Sequence, residues 1–176
     1  MMLPNNIEIQ LVNSKETEEL RKISIQTFTE TFANQNTEND MQKYVSEKLS
    51  LGQLSKELNS ENSTFYFLKY NEQVIGYLKL NIKDAQTEAQ GNDCIEIERI
   101  YIKKEYQGKD FGKLLMQKAI EIAKRFQYTC IWLAVWEHNT KAINFYKKLG
   151  FIEFDKHSFQ LGDDLQLDIM MKLELN

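Results

Sequence analysis

Cysteine is scarce in this chain: Cys94 and Cys130 are its only two, far apart, with no CxxC spacing and no histidine pair beside them. That pattern excludes a disulfide framework and a zinc site, and two reduced core cysteines are the expectation. One proline and seven glycines leave little room for disordered linkers. No apolar run approaches the ~20 residues that span a bilayer, and the start, MMLPNNIEIQ, lacks the basic and apolar regions of a signal peptide. A cytoplasmic protein without a membrane partner is expected. Positive charge is in deficit, with 22 Lys and Arg against 26 Asp and Glu, a net charge of -4. The deficit argues against general affinity for nucleic acid and suits cationic partners.

What is present is the composition of a globular protein, 42% hydrophobic and 11% aromatic over 176 residues, and a single domain over residues 1–176 is expected. IEIQLV at residues 7–12 alternates as a strand does. Ser14 and the acidic run Glu16 to Glu19 then read as the cap and first turn of a helix reaching about Phe32. Residues 34–58 read as one or two short helices interrupted at SLG. STFYFLKYNEQVIGYLKLNI, 63–82, is two β-rich runs around NEQ, a hairpin signal, and DAQTEAQGND follows as a loop. CIEIERIYI, 94–102, is a strong strand; the helix after it carries Phe111, Leu115, Ala119, Ile122 and Phe126 as an amphipathic stripe. YTCIWLAVW, 128–136, reads as a buried central strand, with Trp132 and Cys130 in the core. NTKAINFYKKLG has a cap, a helical pattern and a terminal glycine, and two alternating runs close the chain as a hairpin. No repeat of fixed period occurs.

Between the strand 94–102 and its helix lies EYQGKDFGKLL, residues 105–115. The first amides of a helix have no intrahelical partner and sit at the positive end of its dipole, so an anion such as a pyrophosphate fits there. Gly108 and Gly112 allow close backbone approach, and Lys109 and Lys113 add charge. The loop is neither GxxxxGK[ST] nor GxGxxG; on its own, an ordinary helix start explains it equally well.

The later run NTKAINFYKKLGF, 139–151, following IWLAV and preceded by QGKDFGKLL, resembles the GNAT superfamily of acetyl-CoA-dependent N-acetyltransferases. FTETFANQN, GYLKLNIKDAQTE, IERIYI, AVWEHNTKAINFYKKLGF and HSFQLGDD together resemble its PaiA-type polyamine N-acetyltransferases, a likeness covering almost the whole chain. The resemblance implies an α/β fold with a mixed, mostly antiparallel sheet of about seven strands flanked by helices. It implies acetyl-CoA as cofactor and a primary amine, spermidine or spermine, as acceptor. No metal is called for. Proteins of this superfamily often form dimers, so a homodimer is an option the resemblance leaves open.

Residue by residue, the resemblance places the cofactor's pantetheine arm on the backbone of Ile100, Tyr101 and Ile102. Its phosphates fall on Gln107, Gly108, Lys109, Asp110, Phe111, Gly112 and Lys113, and further contacts come from Asn139 and Ala142. Asp110 stands where a glycine is usual. An aspartate can cap the helix and tolerates a left-handed backbone, but two like charges ~4 Å apart at a dielectric of ~20 repel by about 4 kcal/mol before screening. Weakened cofactor binding is therefore expected.

An alkyl ammonium has a pKa near ~10, so about one in a thousand is free amine at pH 7 and a group must take its proton. Glu98 matches the acidic residue of the polyamine enzymes, with Glu96 the second choice; a solvent-facing strand residue or a partner of a lysine is the ordinary reading of Glu98. Tyr146 matches the acid that protonates the departing thiolate, while Phe145 reads as core. Trp136 and Glu137, and Glu30 with Glu38 and Asp40 in the helical segment, are candidate acceptor contacts; a solvated face explains the latter group as well. His138 and His157 sit in different segments with no evident pairing to a carboxylate and a nucleophile, and read as ordinary surface or loop histidines. Two alternatives remain: an enzyme acting on a protein N-terminus, a lysine or an aminoglycoside, and a non-catalytic module sensing coenzyme A or a polyamine.

Overall fold

The computed structural model describes residues 6–175. Residues 1–5, part of the start read above for a signal peptide, lie outside the described residues. In order, the chain forms β1 (Ile7–Leu11), α1 (Thr17–Phe32), α2 (Glu38–Lys48), α3 (Leu51–Leu58), β2 (Ser63–Tyr70), β3 (Gln73–Asn81), β4 (Cys94–Ile102), α4 (Phe111–Arg125), β5 (Cys130–Trp136), α5 (Thr140–Lys148), β6 (Ile152–Leu161) and β7 (Asp164–Glu174). The seven strands make one sheet in the order β1-β2-β3-β4-β5-β7-β6. Every neighbouring pair is antiparallel except β4 with β5, which are joined through α4 and run parallel. Among the described residues no helix is long and apolar enough to cross a membrane.

Local chemistry explains the boundaries. The first helical segment is capped by Asn13, one residue before the expected Ser14: its side chain accepts from Lys15 N, while Glu16 Oε2 accepts from Asn13 N at 3.0 Å. Thr37 caps α2 and Ser50 caps α3, so the polar stretch breaks into two helices where a second cap is available. The β2–β3 connection is shorter than NEQ suggests: Asn71 and Glu72 both take left-handed conformations and Gln73 already belongs to β3.

One face of the sheet packs on α4 and α5 through Ile95, Ile97, Ile131 and Leu133; the other packs on α1–α3 through Phe65, Phe67 and Tyr77. Cover on both faces is why β5 is almost wholly apolar. The expected stripe on α4 holds for Phe111, Leu115 and Ala119, but Phe126 is 66% exposed. The helix ends at Arg125 and Gln127 turns left-handed, which swings Phe126 off the face; Met116 and Ala123 complete it instead.

The expectation of two reduced, unlinked cysteines is corrected by the fold. Cys94 and Cys130, the first residues of β4 and β5, stand opposite one another with Cα atoms 4.7 Å apart and are joined as a disulfide. Their separation of 36 residues says nothing of parallel register, which the crossover through α4 sets.

Candidate active site

Pairing between β4 and β5 runs only from Cys94–Cys130 to Glu96–Trp132. Beyond that the strands part, and a cavity of about 630 Å³ opens between Ile97–Ile102 on one side and Leu133–Trp136 on the other. The parting coincides with a β-bulge: Leu80 faces Ile97 and Lys79 faces Arg99, so Glu98 is the extra residue in β4. The bulge turns Glu98 and Arg99 to the same side, where Arg99 Nη2 lies 3.1 Å from Glu98 Oε1.

At one end of the cavity the lining comes from the loop before α4 and from α5. Gln107, Gly108, Asp110, Gly112, Lys113, Asn139, Ala142 and Tyr146 border it, together with Lys104 and Lys141. Gly108 has φ +78, with open space where a side chain would stand, and Asp110 is left-handed at φ +61. The Asp110 side chain does not cap α4, contrary to one expectation, and the first turn of α4 holds no acidic residue. The amides that open α4 are therefore not taken up by the Asp110 carboxylate. Lys141 Nζ donates to Gln107 Oε1 at 2.9 Å, and Gln107 Nε2 donates to Ile102 O at 3.1 Å, which ties the loop to β4 and to α5. Asn139 accepts from Ala142 N at 3.2 Å and caps α5. Two of the expected cofactor residues lie outside the lining: Lys109 sits over the Tyr106 ring, and the Phe111 side chain packs between Tyr70 and Tyr106.

Tyr146 is 7% exposed and borders the cavity. Burial pushes its phenol above the ordinary value, so it stays protonated at neutral pH. Among the described residues its hydroxyl makes no side-chain hydrogen bond, and Phe145, expected in the core, is half-buried and also borders the cavity.

The other end is built of buried charge. Burial opposes ionisation of Glu98, but Arg99 and Lys79, with a hydrogen bond from Asn81 at 2.6 Å, outweigh it and hold the carboxyl below its ordinary value. Lys79 Nζ also reaches Glu57 of α3 at 2.9 Å, and Arg99 Nη1 reaches Glu57 at 3.0 Å. The ion-pair reading of Glu98 is thus realised beside the cavity, rather than a solvent-facing one. Glu96 is the opposite case: burial pushes it up, and hydrogen bonds from Thr87 and Asn81 only partly offset this.

Thr87 belongs to the loop 82–93, which lies across the sheet rather than away from it. Thr87 N and Oγ1 hold Glu96 on β4, Gln86 Oε1 accepts from Trp132 Nε1 on β5 at 2.6 Å, and Glu88 pairs with His157 on β6 at 3.1 Å. His157 thus stands beside two carboxylates, Glu88 and Asp168, whose Oδ2 is 3.6 Å from Nε2. His138 is exposed, 3.8 Å from Glu137.

Trp136 borders the cavity and packs near Phe32, whereas Glu137 does not border it. Glu30 lies at the rim, accepting from Lys104 N at 2.7 Å. Asp40 is buried and fastens α2 to the β6–β7 turn by accepting from Asp163 N at 2.7 Å, and Glu38 accepts from Gln42; neither reaches the cavity. Glu57, Lys79, Arg99, Thr87, Lys141 and Asp168 were not singled out by sequence reasoning. Lys79 had a readable signal, since it stands in phase with the core residue Tyr77 on β3.

The chain belongs to the acetyltransferase (GNAT) family, whose profile matches residues 18–151. A protein of Lactobacillus delbrueckii subsp. lactis described as an uncharacterized N-acetyltransferase in the pepI 3' region is 40% identical over 169 residues, 96% of this chain and 98% of its own length. The spermine/spermidine N(1)-acetyltransferase of Bacillus subtilis strain 168 is 28% identical over 85 residues, 48% of this chain and 56% of its own. The structure of the PaiA N-acetyltransferase of Thermoplasma acidophilum in complex with coenzyme A matches 96% of this chain and 99% of its own with a TM-score of 0.79 and 24% identity, a likeness of fold. The protein is an N-acetyltransferase and its acetyl donor is acetyl-CoA. The residues present fit that group: β4 lacks a strand partner where β5 has parted from it, and the start of α4 lacks an acidic first turn.

Proposed function

We propose that the protein transfers acetyl to a primary amine of a polyamine such as spermidine or spermine, by direct attack on the thioester, in the cytoplasm and without a nucleic-acid or membrane partner. The observation that carries this reading is the asymmetry of the cavity opened where β4 and β5 part. Lysines and helix amides, with Glu30 and Asp110, border one end; Glu96, Glu98 and Asp168, with Arg99 paired to Glu98, border the other. The first end suits phosphates and the second an ammonium.

Acetyl-CoA supplies the activated acetyl group. The backbone of Ile100, Tyr101 and Ile102 binds the pantetheine arm, and Gln107, Gly108, Gly112 and Lys113 bind the phosphates, with Lys141 beside them. Glu98, held ionised by Lys79 and Arg99, draws the ammonium to the parting of the strands. A carboxyl held low is a poor store for a proton, so Glu98 orders the water through which the proton leaves, and Glu96, held high, is the better resting place for it. As the amine nitrogen bonds to the acetyl carbon and the carbon–sulfur bond breaks, Tyr146 gives its proton to the sulfur, and the second proton shed by the nitrogen returns through water to the phenolate. No cysteine nucleophile takes part, since neither Cys94 nor Cys130 borders the cavity.

Acetyl-CoA consumption across spermidine, spermine, free lysine, a peptide with a free N-terminus and an aminoglycoside tests the acceptor. The largest kcat/KM is expected for the polyamines. A higher value for the peptide or aminoglycoside would overturn the polyamine reading, and coenzyme A binding without turnover on any amine would favour the sensing module.

A further inference from the structure

β5, β7 and β6 carry a row of three side chains across the sheet. Trp136 stands opposite Asp168, and Asp168 opposite His157. Gln166, two residues before Asp168, shares its face, and all four side chains border the cavity. The Asp168 side chain is only 13% exposed, yet among the described residues neither Asp168 nor Glu88 has a lysine or arginine within ion-pair distance.

The hydrogen bonds around this row leave an excess of acceptors. Glu88, a carboxylate, can only accept, so His157 Nδ1 carries the proton between them at 3.1 Å. That leaves Nε2 without a hydrogen-bond partner, shut from solvent, 3.6 Å from Asp168 Oδ2. Gln166 is fixed the same way. Its Nε2 donates to Asn36 at 2.6 Å and to Asp164 at 2.9 Å, so its Oε1 is turned inward and has no donor. A wall with a buried carboxylate and an orphaned amide oxygen is costly with nothing bound, because a buried acceptor without a donor loses its hydration uncompensated. A cation bearing several N–H groups removes that deficit.

We propose that Asp168 is the contact residue of a second ammonium subsite, one that receives the far amine of a diamine or polyamine while the near amine is acetylated beside Glu98 and Tyr146. His157 and Glu88 are positioning residues: Glu88 fixes the imidazole, and the imidazole flanks the carboxylate. The span calls for a long acceptor, since Asp168 lies two strands beyond Glu98 and neighbouring strands are about 5 Å apart, a gap of roughly 10 Å or more that the several methylenes of a spermidine chain cover. Trp136, Phe159 and Tyr44 supply apolar cavity wall for that spacer. Burial raises the carboxyl of Asp168, with His157 opposing, as expected of an anion awaiting a counter-ion. The subsite rests on the amine-acceptor reading of this cavity and narrows the acceptor to amines carrying a second positive charge.

The test is calorimetric titration of the coenzyme A-loaded protein with spermidine and with n-butylamine, which shares the chain but lacks the second charge. Asp168→Asn is expected to weaken spermidine binding about tenfold or more and n-butylamine binding by less than about twofold. His157→Gln, which keeps a polar group at the site, is expected to weaken spermidine binding severalfold with the same selectivity, and serves if the first variant folds poorly. Equal losses for the two amines, or unchanged spermidine binding in Asp168→Asn, would overturn the subsite. Acetyl-CoA consumption in the same samples separates the two readings. Spermidine held through Asp168 but not acetylated would overturn the polyamine reading alone, and spermidine acetylated with indifference to Asp168 would overturn the subsite alone.

Discussion

The two ends of the cavity are built by different means. The end toward α4 and α5 relies on backbone: amides of a strand that has lost its neighbour, amides opening a helix, and a left-handed turn at Gly108 and Asp110. The end toward β6 and β7 relies on side chains from five elements, with Glu57, Lys79, Glu96, Glu98, Arg99, His157 and Asp168 all buried or half-buried. Backbone recognition suits a donor whose long arm and phosphates are always the same. Side-chain recognition can be retuned by substitution without moving the fold, which suits the acceptor choice proposed for that end.

Tyr146 is the proposed acid, on the α5 side of the cavity, so its substitution has the largest expected effect. Tyr146→Phe should lower kcat about a hundredfold while leaving both KM values within a few-fold, as read in steady-state assays. Next is the ion cluster of the acceptor end. Lys79→Met leaves Glu57 and Glu98 with only Arg99 between them, and a cost of about 3 kcal/mol, or roughly 10 °C in melting temperature, is expected from thermal unfolding. A loss below about 1 kcal/mol would show the cluster to be as loosely coupled as a surface pair.

Asp168→Asn sharpens the contrast through pH. Burial raises the carboxyl in the fold, so the folded state takes up its proton more readily than the unfolded state, and the charge opposes folding at neutral pH. The Asn variant should therefore melt higher than the parent at pH 7, by about 2 °C, with the advantage vanishing as pH falls below the usual aspartate value of 3.8. The smallest effect belongs to the backbone end. Asp110 is exposed, and Asp110→Gly removes both a like charge near the phosphates and a left-handed non-glycine residue. Coenzyme A is expected to bind a few-fold more tightly, with the gain shrinking at high salt.

The same contrast explains what could be read in advance. The order of the elements along the chain, the helix after the loop and the cap at Asn139 follow from local patterns, whereas the cofactor residues were read from the family resemblance. The acceptor end depends on registers that no local pattern reports. The bulge at Glu98 has no residue signature, the facing of His157 and Asp168 is set by the hairpin register, and the disulfide by the parallel one. Gln86, Thr87 and Glu88 have the composition of any polar loop, whether it crosses a sheet or hangs in solvent. Phe126 shows the converse, a residue in phase with a buried stripe that the end of the helix carries into solvent.

That one cavity holds donor and acceptor together is tested most directly by initial velocities over a matrix of acetyl-CoA and spermidine concentrations, with the intact mass of the protein measured after acetyl-CoA alone. Intersecting double-reciprocal lines and an unmodified protein are predicted, as direct transfer in a ternary complex requires. Parallel lines with an acetylated protein would contradict the account, because they would mean the acetyl group rests on the chain before an amine arrives.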